Sequence, residues 1–280
     1  MRTLLKVENL SVEARANKSS IKLVDNISFS LKEGECLGIL GESGSGKSMT
    51  CKAIMGLLDK NFHIEGSAVY EDSDLLKKNS EEMRKLRGKE IAMVLQNPMT
   101  CFDPLYPIGY QMAETFAEHL NLSQEEIRKK SIEILKLMQL KDPEDILHKY
   151  PHQLSGGMLQ RIMIGLALAM EPKLLIADEP TTAIDAVTQY EIMKEFIKIK
   201  EKYKVAIIFI SHDLGVISKI ADNVIIMSKG KAVAQREKNY IFSFEKEEYT
   251  KMLIEKKMAV MNRYREILHN GRRKTYVAGS

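Results

Sequence analysis

The chain has 280 residues, enough for one large domain or for a core with an inserted subdomain. Hydrophobic residues make up 44% and charged residues 29%, which allows a sizeable core beneath an ordinary charged surface. A formal net charge of +4 is close to uninformative, and it favours an ordinary solvated surface over a nucleic-acid groove, which would need clustered Lys and Arg. No apolar run approaches the roughly 18 residues that span a bilayer, so any role at a membrane would depend on a partner.

The N-terminal part of the chain has the pattern of strands. Residues 4–12 and 21–31 carry alternating apolar side chains with turn residues between them, which predicts two strands. The short apolar run 36–40 is typical of a fully buried strand. A glycine-rich stretch follows it, and a helix is predicted from there through Leu58.

Three further strands are predicted from short, continuous apolar runs at residues 91–95, 174–177 and 205–210. A helix predicted over residues 186–203 joins the last two of these strands. Strands linked by helices pair in parallel, so we expect a mainly parallel sheet.

The chain divides into three predicted parts. Residues 1–96 and 161–235 form the core, and residues 97–160 form an inserted helical subdomain with polar breaks at Ser123, Asp142-Pro143 and Tyr150-Pro151. Residues 236–280 are predicted to form a helical extension, with helical spacing over 245–268, and a loose tail.

The glycine-rich stretch fits the phosphate-loop pattern G-x-x-x-x-G-K-[ST] and lies between a strand and a helix. Its glycines let backbone N–H groups turn toward phosphate oxygens, and the helix start adds its positive end. Lys47 supplies a charge to the β- and γ-phosphates, and Ser48 supplies an oxygen ligand for Mg²⁺. A chance match in such a chain is rare, on the order of a few percent. The nucleotide-binding residues predicted here are Gly41, Glu42, Ser43, Gly44, Ser45, Gly46, Lys47, Ser48 and Met49.

An acidic pair, Asp178 and Glu179, ends the apolar strand at 174–177. Taken alone, such a pair is most simply a solvated loop. Behind a phosphate loop, we expect Asp178 to hold Mg²⁺ through water and Glu179 to polarise the attacking water.

A second backbone anion site is predicted where Ser155, Gly156 and Gly157 open an apolar helix. The octet from Leu154 to Arg161 resembles the signature motif of ATP-binding-cassette (ABC) proteins, with Met158 where the commonest form has Gln. The phosphate loop, this octet and the acidic pair follow one another in the order typical of ABC transporter ATPases, and the resemblance to that family covers residues 4–231. The resemblance implies an α/β P-loop fold with an inserted helical subdomain, ATP hydrolysis, and ATP and Mg²⁺ as cofactors.

The resemblance also implies roles for single residues. Gln96 looks like the glutamine that contacts Mg²⁺ and water and couples to the membrane subunit. His212 looks like the switch histidine at the γ-phosphate, and Asp185 like the aspartate that reaches across a dimer. A capping glutamine, a lone turn histidine and a helix N-cap are the alternatives for these three residues. The family's adenine-stacking aromatic is missing from residues 12–17, where Arg15 is the planar side chain, so no base-binding residue is predicted.

A closer resemblance is to the nickel and peptide import branch. In that branch two different ATPases form a head-to-tail sandwich. Each ATP lies between the residues of one subunit that correspond to Lys47 and the residues of the other subunit that correspond to Ser155. The partners implied are a second ATPase, two membrane permeases and an extracytoplasmic binding protein, which places this chain peripherally on the cytoplasmic face of the membrane. Peptide importers of the branch tend to have a longer, cysteine-bearing C-terminal extension, which favours nickel or a nickel–chelator complex over a di- or oligopeptide. The stretches that carry this resemblance are 96–98, 102–105, 155–161, 181–189 and 249–253.

Other classes of ATPase and GTPase fit the sequence less well. Cassette ATPases of translation usually carry two cassettes in a chain, and those of DNA repair carry a long coiled coil between phosphate loop and signature. A small GTPase would carry an Asn-Lys-x-Asp motif, and here Asn17-Lys18 is followed by Ser19-Ser20. A binding module without catalysis would not need Lys47, Glu179 and His212 together.

Overall fold

The computed structural model describes residues 2–16, 19–181 and 186–237. The strands are β1 (Thr3–Ala16), β2 (Ser19–Lys32), β3 (Cys36–Gly41), β4 (Phe62–Tyr70), β5 (Ser73–Asp74), β6 (Ile91–Val94), β7 (Leu174–Asp178), β8 (Ala206–Ser211), β9 (Asn223–Ser228) and β10 (Lys231–Glu237). The helices are α1 (Lys47–Ile54), α2 (Ser80–Leu86), α3 (Ile108–His119), α4 (Gln124–Leu137), α5 (Pro143–His148), α6 (Gly156–Ala169), α7 (Ala186–Tyr203) and α8 (Leu214–Ile220).

The main sheet has the strand order β10-β9-β3-β8-β7-β6. All neighbours from β9 to β6 pair in parallel, and β10 is added as an antiparallel edge strand. Every residue of β3, β7 and β8 is buried, which is why these strands are continuous apolar runs in the sequence. The predicted parallel sheet and α/β fold class are confirmed.

Strand β8 illustrates how both faces of this sheet are covered. Ile207 and Phe209 belong to a cluster with the helices, where Phe209 packs edge-on against Phe196 of α7. Ile208 and Ile210 belong to a second cluster with α1 and the smaller sheet. Because side chains alternate along a strand, one apolar run supplies both layers.

The smaller sheet is antiparallel, with the order β2-β1-β4-β5. Its strands β1 and β2 contain the two strands predicted at the N-terminus and extend beyond them. Strand β4 was not predicted, and α1 ends at Ile54 rather than continuing to Leu58. The helix ends there because Gly56 adopts φ +60° and the guanidinium of Arg87 donates to the carbonyls of Met55 and Gly56.

Helices α3 to α5 lie within the predicted helical subdomain, and α6 begins at its end. Each polar break predicted in this subdomain is followed by the start of a helical segment. Ser123 caps α4 through a capping box with Glu126, and Pro143 is the first residue of α5. Pro151 opens a short 3-10 turn before α6. Helix α6 runs continuously through residues 160 and 161, where the predicted parts meet, so that division stays a prediction.

Parts of the sequence that carry predictions lie outside the described residues. These are residues 183–185 with Asp185, and the C-terminal extension from residue 238 onward. Within the described ranges, none of the helices combines the length and apolar character that crossing a bilayer requires.

Candidate functional site

The phosphate-loop stretch connects the C-terminal end of β3 to the start of α1, as the sequence predicts. Gly44 and Gly46 adopt φ +79° and +100°, a region of backbone space that favours glycine. A Cβ at Gly41 would overlap the carbonyl oxygen of Met227 on β9. The glycines are therefore required by turn geometry at two positions and by close packing at a third.

The Lys47 ammonium lies beneath the loop and is buried. It donates to the carbonyl oxygens of Gly41 and Glu42 at 2.9 and 2.8 Å, and its Nζ lies 3.7 Å from Oε1 of Glu179. Burial lowers the pKa of Lys47, while the carboxylates of Glu179 and Asp178 oppose that shift. The cation is thus held at the loop by fixed oxygen atoms and balanced by nearby anions.

Ser48 and Asp178 meet at the first turn of α1 and the end of β7. The Ser48 hydroxyl donates to Oδ1 of Asp178 at 2.7 Å. Burial raises the pKa of the Asp178 carboxyl, with Glu179 adding to the rise and the Ser48 hydrogen bond opposing it. A buried carboxylate beside a hydroxyl provides hard oxygen donors of the kind that Mg²⁺ prefers, so these residues fit that ion.

The Glu179 carboxylate is 11% exposed and is contacted by side chains from the ends of two neighbouring strands. Its Oε2 accepts a hydrogen bond from Nε2 of Gln96 at 3.2 Å and lies 3.3 Å from Nδ1 of His212. Gln96 follows β6 and His212 follows β8, on either side of β7 in the sheet. Glu179 itself adopts φ +47°, while its N–H still donates to the carbonyl of Ile210 at 3.1 Å. The parallel sheet thus brings all three predicted catalytic residues together.

The phosphate loop, Gln96 and Glu179 border one pocket, with a volume of about 220 Å³. Its lining consists of Leu23, residues 43–49, Gln96 and Glu179. Within the described residues, the buried Oγ of Ser45 has no hydrogen-bond partner, and nothing lies within 4 Å of where a Cβ of Gly44 would stand. An open backbone cradle beside a buried cation suits the oxygens of a phosphate chain.

Leu23 is the lining residue that the sequence analysis missed. It belongs to β2, and its neighbours in the chain carry no sign of a binding role. The residue reaches the loop only through long-range packing of the smaller sheet, so no local pattern could have indicated it.

The predicted second anion site lies apart from this pocket. Ser155 caps α6, with its Oγ accepting from the N–H of Met158 at 3.3 Å. Ser155 and Gly156 are exposed and Gly157 is half-buried, and none of the three lines the pocket described above. A single chain therefore unites the phosphate loop with Gln96, Asp178, Glu179 and His212, but not with residues 155–157.

Comparison with protein families gives a match to the ABC transporter family over residues 24–182, more than half of the chain. The chain belongs to the ABC transporter family. The resemblance found in the sequence is thereby confirmed, and the chain is an ABC-type ATPase subunit.

Curated relatives are similar over most of the chain. The metal-staphylopine import system ATP-binding protein CntD of Staphylococcus aureus is 44% identical over 95% of this chain and 97% of its own length. The dipeptide transport ATP-binding protein DppD of Haemophilus influenzae is 42% identical over 90% of this chain and 76% of its own length.

Solved structures agree on the fold. A dimeric, post-hydrolysis ATP-binding cassette, MJ0796, bound to ADP and Pi, superposes with a TM-score of 0.76 at 28% identity. That match covers 84% of this chain and 98% of the cassette. The structure of cbiO1 from Clostridium perfringens, part of the ABC transporter complex cbiONQ, has a TM-score of 0.71 at 29% identity over 88% of this chain and 92% of its own length.

Proposed function

We propose that this chain hydrolyses Mg²⁺-bound ATP to drive an importer whose cargo is a metal held by a small chelator. The observation that carries the ATPase part is the meeting of Gln96 and His212 at Glu179, beside a phosphate loop and Lys47. Gln96, Glu179 and His212 stand at the ends of three neighbouring strands, with Gln96 and His212 lying 3.2 and 3.3 Å from the Glu179 carboxylate. Lys47, at the start of α1, lies 3.7 Å from the same carboxylate.

Each residue receives a role from its position. The loop N–H groups and Lys47 bind the phosphate chain, and Ser48, Gln96 and Asp178 hold Mg²⁺. That ion would neutralise charge on the phosphate oxygens. Glu179 orients and polarises the attacking water, and His212, which is 53% exposed, reaches the γ-phosphate from the solvent side.

A second ATPase chain completes the site in this proposal. Residues 155–157 present a helix N-terminus to solvent, outside the pocket of their own chain. Facing a partner's phosphate loop, they would supply backbone N–H groups and the Ser155 hydroxyl to the far side of the phosphates. In keeping with the import branch, we propose that the partner is a different ATPase chain.

The contact with the membrane subunits is proposed next to Gln96. The stretch after it exposes Met99, Leu105, Tyr106 and Tyr110, and Leu105 is 77% exposed. Tyr106 and Tyr110 stack with ring centroids 4.9 Å apart, and Gln111 hydrogen-bonds the backbone around them. Exposed apolar surface joined to a rigid loop suits docking of a partner, here two permeases served by an extracytoplasmic binding protein. This contact would hold the chain peripherally at the cytoplasmic face.

The cargo proposal is supported by similarity to the metal-staphylopine import protein, which aligns over 97% of its own length. We propose nickel as the metal, in keeping with the resemblance to the nickel and peptide import branch. A dipeptide or oligopeptide is the alternative, supported by the 42% identity to DppD.

Growth of a deletion strain tests the cargo. Without the gene, cells at low external nickel should contain less nickel by elemental mass spectrometry, and a nickel enzyme such as urease should lose activity. The intact gene should restore both, and a Lys47→Ala copy should not. Normal nickel content together with lost dipeptide uptake would overturn the metal proposal and favour the peptide alternative.

A further inference from the structure

The turn between β9 and β10 contacts the phosphate loop but does not line the pocket. Its central residues, Lys229 and Gly230, adopt φ +47° and +81°, as a tight hairpin turn with two left-handed residues requires. The turn belongs to the edge of the main sheet, yet it also contacts the smaller sheet.

Gly230 is hydrogen-bonded on both sides. Its N–H donates to the carbonyl of Ser45 in the phosphate loop at 3.0 Å, and its carbonyl accepts from the N–H of Asp25 on β2 at 2.8 Å. One residue therefore links the loop to the strand that carries Leu23, which lines the pocket. At the exposed rim, Lys231 pairs with Asp25 at 3.2 Å.

No room exists for a side chain at this junction. A Cβ on Gly230 would lie 2.8 Å from the carbonyl oxygen of Leu23 and 3.2 Å from its carbonyl carbon. A Cβ on Gly46 would lie 2.8 Å from the same oxygen and 3.4 Å from the Cα of Gly230. The Leu23 carbonyl thus sits in a notch formed by two glycines, one in the loop and one in the turn.

We propose that Gly230 is a positioning residue for nucleotide binding, because the turn sets the position of the phosphate loop relative to β2. A side chain there must push β2 away or push the turn against Ser45 and Gly46. Either movement displaces the N–H cradle without touching Gln96, Glu179 or His212. The inference rests on the proposed function insofar as the loop binds the phosphates of ATP and ADP.

Two variants separate crowding from backbone strain. Gly230→Ala adds a Cβ to a left-handed residue, and Gly230→Asn adds a Cβ with a side chain that tolerates this conformation. The matched control is Gly66→Ala, since Gly66 adopts φ +99° and its Cβ would lie 2.6 Å from the carbonyl oxygens of Glu8 and Asn9. Gly66 lies in the smaller sheet on β4, against the backbone of β1, and does not line the pocket.

Calorimetric titration of the full chain with ATP and with ADP gives the readout. Both Gly230 variants should show dissociation constants raised about tenfold or more for both nucleotides, because sub-ångström misplacement of a binding group is costly. Gly66→Ala should lower the unfolding temperature and leave both dissociation constants within about twofold of the unsubstituted chain, since it strains the backbone without moving the loop.

A second test measures hydrogen exchange on the unsubstituted chain, so it does not depend on whether any variant folds. ADP should protect the peptide containing Gly230 together with the phosphate loop, and leave the Gly66 peptide unchanged. Folded Gly230 variants with ordinary affinities, or a Gly230 peptide that ADP does not protect, would overturn this inference alone. An unsubstituted chain that binds neither nucleotide would overturn the proposed function and this inference with it.

Discussion

The role proposed for Glu179 predicts that replacing it by Gln separates ATP binding from hydrolysis. The substitution keeps the size of the side chain and an oxygen that can still accept from Gln96, but removes the charge that orients water. Glu179 also lies 3.7 Å from Lys47. At an effective dielectric constant near 20, a pair at that distance attracts by about 4 kcal/mol, so the carboxylate competes with phosphate for the ammonium.

The two effects have opposite signs. Loss of the competing anion should leave ATP affinity unchanged or raise it. Loss of the base should slow hydrolysis about a thousandfold, equivalent to about 4 kcal/mol of barrier and within the usual contribution of general base catalysis.

Steady-state phosphate release by the assembled complex measures the second effect, and nucleotide titration measures the first. In the complex proposed above, the second ATPase should carry the same substitution at its own base, so that its site cannot mask the loss. Glu118→Gln is a suitable control, since Glu118 is an exposed carboxylate paired with Arg84. Turnover within tenfold of the unsubstituted complex, or weakened ATP binding, would refute this account of Glu179.

Three further predictions concern binding and stability. Lys47→Ala should weaken ATP binding by about 2 kcal/mol, roughly thirtyfold, because a charged hydrogen-bond donor is lost while the backbone cradle remains; unchanged affinity in a titration would contradict this. Asp178→Asn should keep or raise the stability of the nucleotide-free chain, because burial raises the pKa of this carboxyl and its charge is held at a cost, while Mg²⁺-dependent hydrolysis falls; a urea midpoint that drops would argue otherwise. Gly165→Val should cost about 2 kcal/mol in urea unfolding, since a Cβ there would lie 2.6 Å from Ile134 and 2.9 Å from Met138; unchanged stability would mean that α4 and α6 can separate freely.

Local pattern predicted the buried strands β3, β6, β7 and β8, because short continuous apolar runs such as 36–40 and 205–210 are typical of strands covered on both faces of a parallel sheet. Strand β9, which is also buried in this sheet, was not predicted. It failed where distant residues decide the outcome. Helix α1 stops at Ile54 because Arg87, some thirty positions later in the chain, caps its end. Strand β4 contains Gly66 and has only two buried residues, so its pattern was too weak to predict.

The candidate site shows the same division. Motif and order indicated Gln96, Glu179 and His212 one by one, and parallel pairing of β6, β7 and β8 explains why their ends converge. The approach of Leu23 and Gly230 to the phosphate loop was not predictable. It depends on how the two sheets pack, and residues 23, 45 and 230 share no local sequence signal.

The two predicted anion sites differ in chemistry, and that difference assigns them different tasks. The phosphate loop combines backbone N–H groups with a buried cation, Lys47, within one chain. The site at Ser155 offers a helix N-terminus and a hydroxyl in solvent, worth only about 0.3–1 kcal/mol to an exposed anion. It gains strength only when water is excluded, as it would be against a second chain that already holds ATP. We infer that the phosphate loop binds the nucleotide first and that the Ser155 site of a second chain then binds the phosphates of the bound ATP. ATP binding would in this way draw the two subunits together.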